Sequence, residues 1–320
     1  MKYLLNIFLG SWVVLLSTAM TSCSTNDDFG NQDIHIPGIT FDGDAGCCSA
    51  EEALNVYNYL LDFKEIPELA TDVESKYEVR VYTKTGTLHT GYNEIIFVAT
   101  KKETGNYVKY LTVTDITPLM LMTMMNMQHS TPASEDVKLV NYDFPAVKRG
   151  WISFVMPTSD SGTWTLGYSA EVQGSTGRLE AAPITVAALP AGQDWVKSFK
   201  VDGTTYYLSL ADPTSWVTGK NEVKAFLSVK GSDAKVPYGP AAETFSIDID
   251  PRMPDMGNHT SPDNTALTQQ TDGSYQGSVN LTMTGLWRIH LTVRDAQGNI
   301  VAGGDDLSEG YSSLYWDVTI

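Results

Sequence analysis

From Tyr77 onward, apolar and polar residues alternate in short stretches separated by Gly, Asn, Asp and Pro. A period of two belongs to half-buried strands, and many such stretches at short spacing predict a β-sandwich architecture. Ile152, Phe154 and Met156 share one side of a strand, as do Tyr275, Val279, Leu281 and Met283, which leaves the intervening Ser, Thr and Asn to face water. Trp164 and Trp287 open the next strand on the core side, so a hairpin is expected between each Met and its Trp. Arg288 and His290 are out of phase with Trp287, an exposed placement for the histidine. One segment reads as helix: Ser49 can cap it, Glu52 stands three residues on, and Pro67 marks its end. Its apolar stripe of Leu54, Tyr57 and Leu61 is expected to pack on the first sheet domain. The fold class is therefore all-β, sandwiches preceded by one short N-terminal helix within 49–70.

The strand pattern repeats. Thr90-Gly91-Tyr92-Asn93-Glu94-Ile95 corresponds to Thr218-Gly219-Lys220-Asn221-Glu222-Val223, and Asp115-Ile116-Thr117-Pro118-Leu119-Met120 to Asp248-Ile249-Asp250-Pro251-Arg252-Met253. His129-Ser130-Thr131-Pro132 matches His259-Thr260-Ser261-Pro262. Gly150, Ile152, Phe154 and Met156 match Gly277, Val279, Leu281 and Met283, and Gly162, Trp164 and Leu166 match Gly285, Trp287 and Ile289. Five blocks in one order, offset by roughly 125 to 130 residues, mark a tandem duplication of a unit of about 110 residues. The copies are placed at 76–188 and 195–320.

These motifs run G-x-N-x-I/V, then P-x-M leading through Met to His and a trailing Pro, then G-x-I/V-x-F/L-x-M and G-x-W. In that order they resemble the YtkA-like family, immunoglobulin-like β-sandwich domains of bacterial secreted and membrane-attached proteins. The second copy is the more similar, over about Tyr206 to Asp295. The first spreads out its Met-His stretch, adds three methionines and inserts Pro157 to Ser161 before Gly162. The resemblance implies two tandem immunoglobulin-like β-sandwiches, with a suggestion of copper handling.

Ahead of the sandwiches, Lys2 precedes an almost wholly apolar run from Tyr3 to Leu16, short of a comfortable bilayer span and followed by Ser17-Thr18-Ala19. This is expected to be a secretory signal peptide over 1–22 and not an anchor helix. Met20-Thr21-Ser22-Cys23 resembles a relaxed bacterial lipobox, with Cys23 as the lipidated residue. Ser24-Thr25-Asn26-Asp27-Asp28 is similar to the acidic tag of Bacteroidetes-type lipoproteins. The expected location is the outer membrane, on the cell surface rather than the periplasmic face, with the lipid as the membrane contact. Residues 23–48 read as a flexible tether. Cys47 and Cys48 are adjacent and have no distant partner, so a vicinal disulfide, a free pair, links to another chain and a soft-metal thiolate site all stay open.

The chain carries 38 acidic and 21 basic residues, a formal net charge of −17 that becomes one unit more negative once Lys2 is removed. Nucleic acid, which calls for a basic face, is excluded as a partner. The acidity favours a weak accumulation of cations without identifying one. No Gly-rich phosphate loop, histidine-pair zinc motif or serine elbow is present, so no enzymatic activity is expected. Asp42-Gly43-Asp44 lacks the later ligands of a calcium loop, and Asp248, Asp250 and Asp255 read as solvated strand-edge charges.

What remains is sulfur. Of 11 methionines, all those beyond the leader fall into two copies of one pattern. Met120, Met122, Met124, Met125 and Met127 run into His129, with Met156 following; Met253 and Met256 run into His259, with Met283 following. Thioethers with a neutral imidazole make a three- or four-coordinate site suited to Cu(I) and ill suited to Ca²⁺ or Mg²⁺. Copper is the expected ion, and a copper-handling protein the expected partner. Two plainer accounts compete, a methionine plug for the open end of each sandwich and an adaptable contact surface. Met156 and Met283, in phase with core residues, read as core packing. The histidine repeated after the loop methionines tips those toward metal, because a plug has no use for a polar ring. The leading reading is a lipid-anchored extracytoplasmic protein that binds copper for sequestration, delivery or tolerance. Its rival is a surface-displayed module that holds glycan or protein through exposed aromatics such as Trp151, Trp195, Trp216 or Trp316.

Overall fold

The computed structural model describes residues 34–41, 50–140, 146–190, 193, 195–304 and 313–320; the leader, Cys23, Asp42 to Asp44, and Cys47 and Cys48 lie outside them. The described chain is all-β apart from a short helix and two 3₁₀ turns.

In the first sandwich, β1 (Tyr77–Thr83), β2 (Gly91–Lys101) and β5 (Val147–Phe154) form one antiparallel sheet. The facing sheet contains β3 (Leu111–Met122), β4 (Met127–His129), β6 (Gly162–Val172) and β7 (Ser175–Ile184) in the order β7-β6-β3-β4. Inward residues of the two sheets, among them Ile95, Phe97, Ile152 and Phe154 against Val113, Met120, Trp164 and Tyr168, interdigitate as one core.

The run Ile95-Ile96-Phe97-Val98-Ala99 does not alternate because both faces of β2 are covered. Its outer residues Ile96 and Val98 meet Ala53, Val56 and Leu60 of the helix α1 (Ala50–Leu60). The helix does pack on the first sheet domain, and of the expected stripe Leu54 and Tyr57 pack half-buried against it, but the fully buried face is another. Ala50, Ala53, Val56 and Leu60 turn inward, and Leu61 is 65% exposed. The small alanines let the helix lie close to the sheet, a gain that an apolar count biased toward large residues overlooks. The helix also ends earlier than expected; Pro67 opens a 3₁₀ turn whose Leu69 enters the sandwich core.

The second sandwich places β8 (Val196–Val201), β9 (Thr204–Asp212), β10 (Gly219–Val229) and β14 (Ser274–Leu281) in one layer. The other layer has β11 (Ser246–Met253), β12 (His259–Thr260), β15 (Leu286–Arg294) and β16 (Tyr315–Thr319). Between them β13 (Thr265–Gln269) pairs with both β11 and β14, so the layers are one sheet folded over.

The duplication is visible atom by atom at the G-x-N motif. Gly91 and Gly219 hold φ of +85° and +97°, a region open to glycine. The Asn93 carboxamide accepts from His89 N–H and donates to the His89 and Gly91 carbonyls; Asn221 does the same with Val217 and Gly219. Each asparagine thus staples the turn that aims its strand into the core.

Two expectations fail. The link between each Met and its Trp is not a hairpin, because β5 and β6 lie in different sheets, and β14 and β15 lie in different layers of their folded sheet without pairing. It crosses the open end of the sandwich; alternation reports which face a residue occupies and not which strand lies beside it. The intervening serines Ser153 and Ser278 are buried instead of wet. Ser278 meets the Thr265 hydroxyl at 3.0 Å. Ser153 stands beside the junction of the sandwiches, where Phe226 stacks on Trp151 at 4.8 Å and on Tyr92 at 5.6 Å.

Removing either staple takes three hydrogen bonds from its turn, half-buried at His89 and Thr90 and more exposed at Val217 and Thr218. Asn93→Ala and Asn221→Ala are each expected to lower stability by about 1–3 kcal/mol in urea unfolding. An unchanged midpoint would show that the staples do not hold the turns.

Candidate metal centre

At the end of β11 the chain reverses within a few residues. Pro254 begins a 3₁₀ turn over Pro254–Met256, which Gly257 terminates in the left-handed region at φ +65°. The Asn258 N–H then donates to the Met253 carbonyl at 3.0 Å, and β12 pairs His259 opposite Met253. In the first sandwich a four-residue turn from Thr123 to Asn126 brings β4 back so that His129 pairs opposite Met120, and Met127 opposite Met122.

The buried tryptophans set the rest of each end. Trp164 Nε1 donates to the Met156 carbonyl at 3.0 Å and Trp287 Nε1 to the Met283 carbonyl at 2.9 Å, pinning the chain where it crosses between layers. Each indole also meets the histidine of its copy, His129 edge-on to Trp164 at 5.5 Å and His259 tilted to Trp287 at 6.4 Å. The glycine of G-x-W makes room for a thioether. A Cβ on Gly162 would stand 2.8 Å from Met120 Cε, and one on Gly285 would stand 2.9 Å from Met253 Cε.

The candidate ligands accordingly divide into three groups. Met120 and Met253 are 0% and 3% exposed and form the floor of each end. His129 and His259 stand opposite these across their strand pairs, Met122 and Met283 are half-buried, and Met156, expected as core packing, is 37% exposed because the chain has already left the core at the corner. Met124, 88% exposed, Met125 and Met127 stand in water at the tip of the first copy, and Met256 does so in the second. His129 Nδ1 lies 3.0 Å from the Ser130 carbonyl, an acceptor, so Nδ1 carries a proton and, in the neutral ring, Nε2 is the nitrogen left for a ligand bond. The tip supplies thioethers, the floor supplies thioethers, and the imidazole lies between.

Two of the three aspartates near the second Met motif are committed to arginines. Asp248 pairs with Arg294 at 2.6 Å and Asp250 with Arg252 at 2.7 Å. Among the described residues no three His, Cys, Asp or Glu side chains are grouped to hold an ion. A metal centre among these residues would therefore draw on methionine sulfur. Nor do the four tryptophans of the rival reading form an exposed platform. Trp216 and Trp316 are buried, Trp195 donates through Nε1 to the Asp317 carbonyl, and Trp151 stacks at the junction. The sequence pattern marked G-x-W and the Met-His spacing, but the indole-to-carbonyl bond needs the fold to be seen.

His290 also departs from expectation. It points away from the core, yet it is 3% exposed, because Tyr315 and the Arg252–Asp250 and Arg288–Asp317 ion pairs cover the outer face of β11, β15 and β16. Burial pushes its pKa below the usual histidine value; Asp250 opposes this, Arg252 and Arg288 add to it, and Asp317 opposes it. The folded state therefore favours the neutral ring. Its contribution to stability is complete above the ordinary histidine range and is lost as pH falls through it. Urea unfolding at about pH 7.5 and about pH 5 is expected to show a smaller acid loss in His290→Gln than in the parent. Equal losses would place the acid sensitivity elsewhere.

Residues 200–292, from β8 into β15, match the family model described as YtkA-like. No curated protein sequence matches the chain.

Proposed function

We propose that this chain, whose second sandwich matches the YtkA-like family, is a lipid-anchored extracytoplasmic binding protein that takes up Cu(I), one ion at the end of each sandwich, for sequestration, delivery or tolerance. One observation carries the reading: the same set of side chains is assembled twice. A methionine on the floor, a histidine opposite it across a strand pair, a tryptophan against the histidine and a second methionine at the crossing recur as Met120, His129, Trp164 and Met156 and as Met253, His259, Trp287 and Met283. Core packing alone requires methionine at neither end and gains nothing from an imidazole beside it.

The donor chemistry fits a soft monovalent cation. Thioethers and one imidazole nitrogen carry no charge and need no deprotonation beyond the histidine, so they suit Cu(I) and offer little to a hard divalent ion. In the first copy His129 Nε2, Met120 and Met122 would hold the ion; in the second His259, Met253 and Met283 would. The exposed Met124, Met125, Met127 and Met256 supply further sulfur at the mouth. The acidic surface favours accumulation of cations near both ends. The lipobox-like Cys23 and the leader support attachment through lipid, and the described residues contain no helix long and apolar enough to cross a membrane.

Burial of Met120 and Met253 also supports a second reading, in which they plug the open ends. Anaerobic Cu(I) titration against a competing chelator separates the two. The parent is expected to bind one ion per sandwich, and His129→Ala/His259→Ala to bind at least about tenfold more weakly, the loss of one good ligand. Met253→Leu, close in volume, should keep the fold while weakening the second site. A parent that cannot compete with the chelator, or a double variant that competes as well as the parent, would leave the plug as the surviving account.

A further inference from the structure

The two ends carry matching donors but differ in what holds the histidine. In the first sandwich the stretch after His129 is gripped by the second sandwich. Ser130 N–H donates to the Ala234 carbonyl at 2.6 Å, Tyr238 N–H donates to the Thr131 carbonyl at 3.2 Å, and Pro132 and Tyr238 form a parallel bridge. From its own side, Ser130 Oγ donates to the Pro118 carbonyl at 2.6 Å, and Val155 N–H donates to Thr131 Oγ1 at 3.2 Å. Ser130 and Thr131 are wholly buried. The Ser130 carbonyl that orients His129 through Nδ1 therefore belongs to a peptide fixed from both sandwiches.

The gripping segment, between β10 and β11, is held to β10 by the pairing of Gly239 and Pro240 with Val229 and Ser228, and at the point of contact it is seated by one ring. Tyr238 is buried and packs on Tyr207 at 5.0 Å, with the Lys230 ammonium over its face at 5.9 Å. The equivalent stretch of the second sandwich, Thr260-Ser261-Pro262, is held within that sandwich by Asn264 and Asn280. His259 and Thr260 are exposed, and the buried Ser261 hydroxyl, counterpart of the bonded Thr131 hydroxyl, has no partner.

We infer that the second sandwich is a positioning clamp for the first site, acting through Tyr238, so that the two sites are unequal. The first is preorganised and depends on the second sandwich; the second is open and depends on neither the clamp nor its neighbour. The claim about affinity rests on the Cu(I) reading above. Its physical basis is that a ligand ring already held in one orientation does not lose that freedom on binding, which lowers the cost of binding without adding a contact. Tyr238 touches no proposed donor and acts through Ser130 and Thr131.

The test uses the full chain in two backgrounds, His259→Ala to read the first site and His129→Ala to read the second. Tyr238→Ala is expected to weaken Cu(I) binding at the first site about tenfold and to leave the second unchanged, and Tyr238→Phe, which keeps the ring and the N–H, to restore the first. Hydrogen exchange at the Ser130 amide, read without copper, should speed up in Tyr238→Ala while the Thr260 amide does not change. An unaltered Ser130 amide, unaltered first-site affinity, or equal losses at both sites would overturn the clamp. If the unsubstituted chain takes up no Cu(I), the metal reading fails and the affinity difference with it, and the Ser130 amide still decides whether the clamp exists.

Discussion

Two buried indole N–H groups, one per sandwich, determine how each end is built. Burying an indole N–H unpaired is costly, a state that Trp216 alone occupies among the described core tryptophans. Trp164 and Trp287 find acceptors in the carbonyls of Met156 and Met283, where the chain passes from one layer to the other. The bond closes the corner and sets the ring plane on which the histidine rests. The glycine two residues before each indole faces the floor methionine, whose terminal methyl would have to move to admit a Cβ.

From this corner the chemistry of the end follows. A floor thioether sits in an apolar, closely packed setting, the imidazole lies against an aromatic face, and the hairpin or 3₁₀ turn beyond them is open to water. Soft donors graded from buried to exposed along one short path suit capture of a cation that needs neither charge neutralisation nor carboxylate ligands. The committed state of the arginines and aspartates on β11 and β15 points the same way, because those charges pair with one another and not toward the ends. The tryptophans away from the ends are spent on the core and the junction, which leaves little aromatic surface for a glycan.

The tandem arrangement makes two similar units different. The outer face of the first sandwich is covered twice, by α1 and, beside it, by the second sandwich through Phe226 and the segment around Tyr238. The histidine end of the second sandwich has no such cover among the described residues. Duplication thus produced one supported end and one open one without changing the principal donors.

Much of this was legible in the amino-acid order alone. Period-two alternation gave strands, five repeated blocks gave two units, and G-x-N and G-x-W marked the turns and corners, because each of these depends on residues near in sequence. The Met-His spacing likewise pointed to the strand ends where Met120 and His129, and Met253 and His259, pair. Tertiary structure decided the rest. Alternation could not tell that β5 and β6 lie in different layers, nor that Ser153, Ser278 and His290 are buried on what should be wet faces, since cover comes from segments more than ten residues away. The helix stripe moved to Ala50, Ala53, Val56 and Leu60 because close approach to a flat sheet rewards small residues. Whether a methionine becomes floor or tip was also beyond the sequence: Met120 and Met124 are the same residue type four positions apart, and the reversal of the chain between them puts one in the core and the other in water.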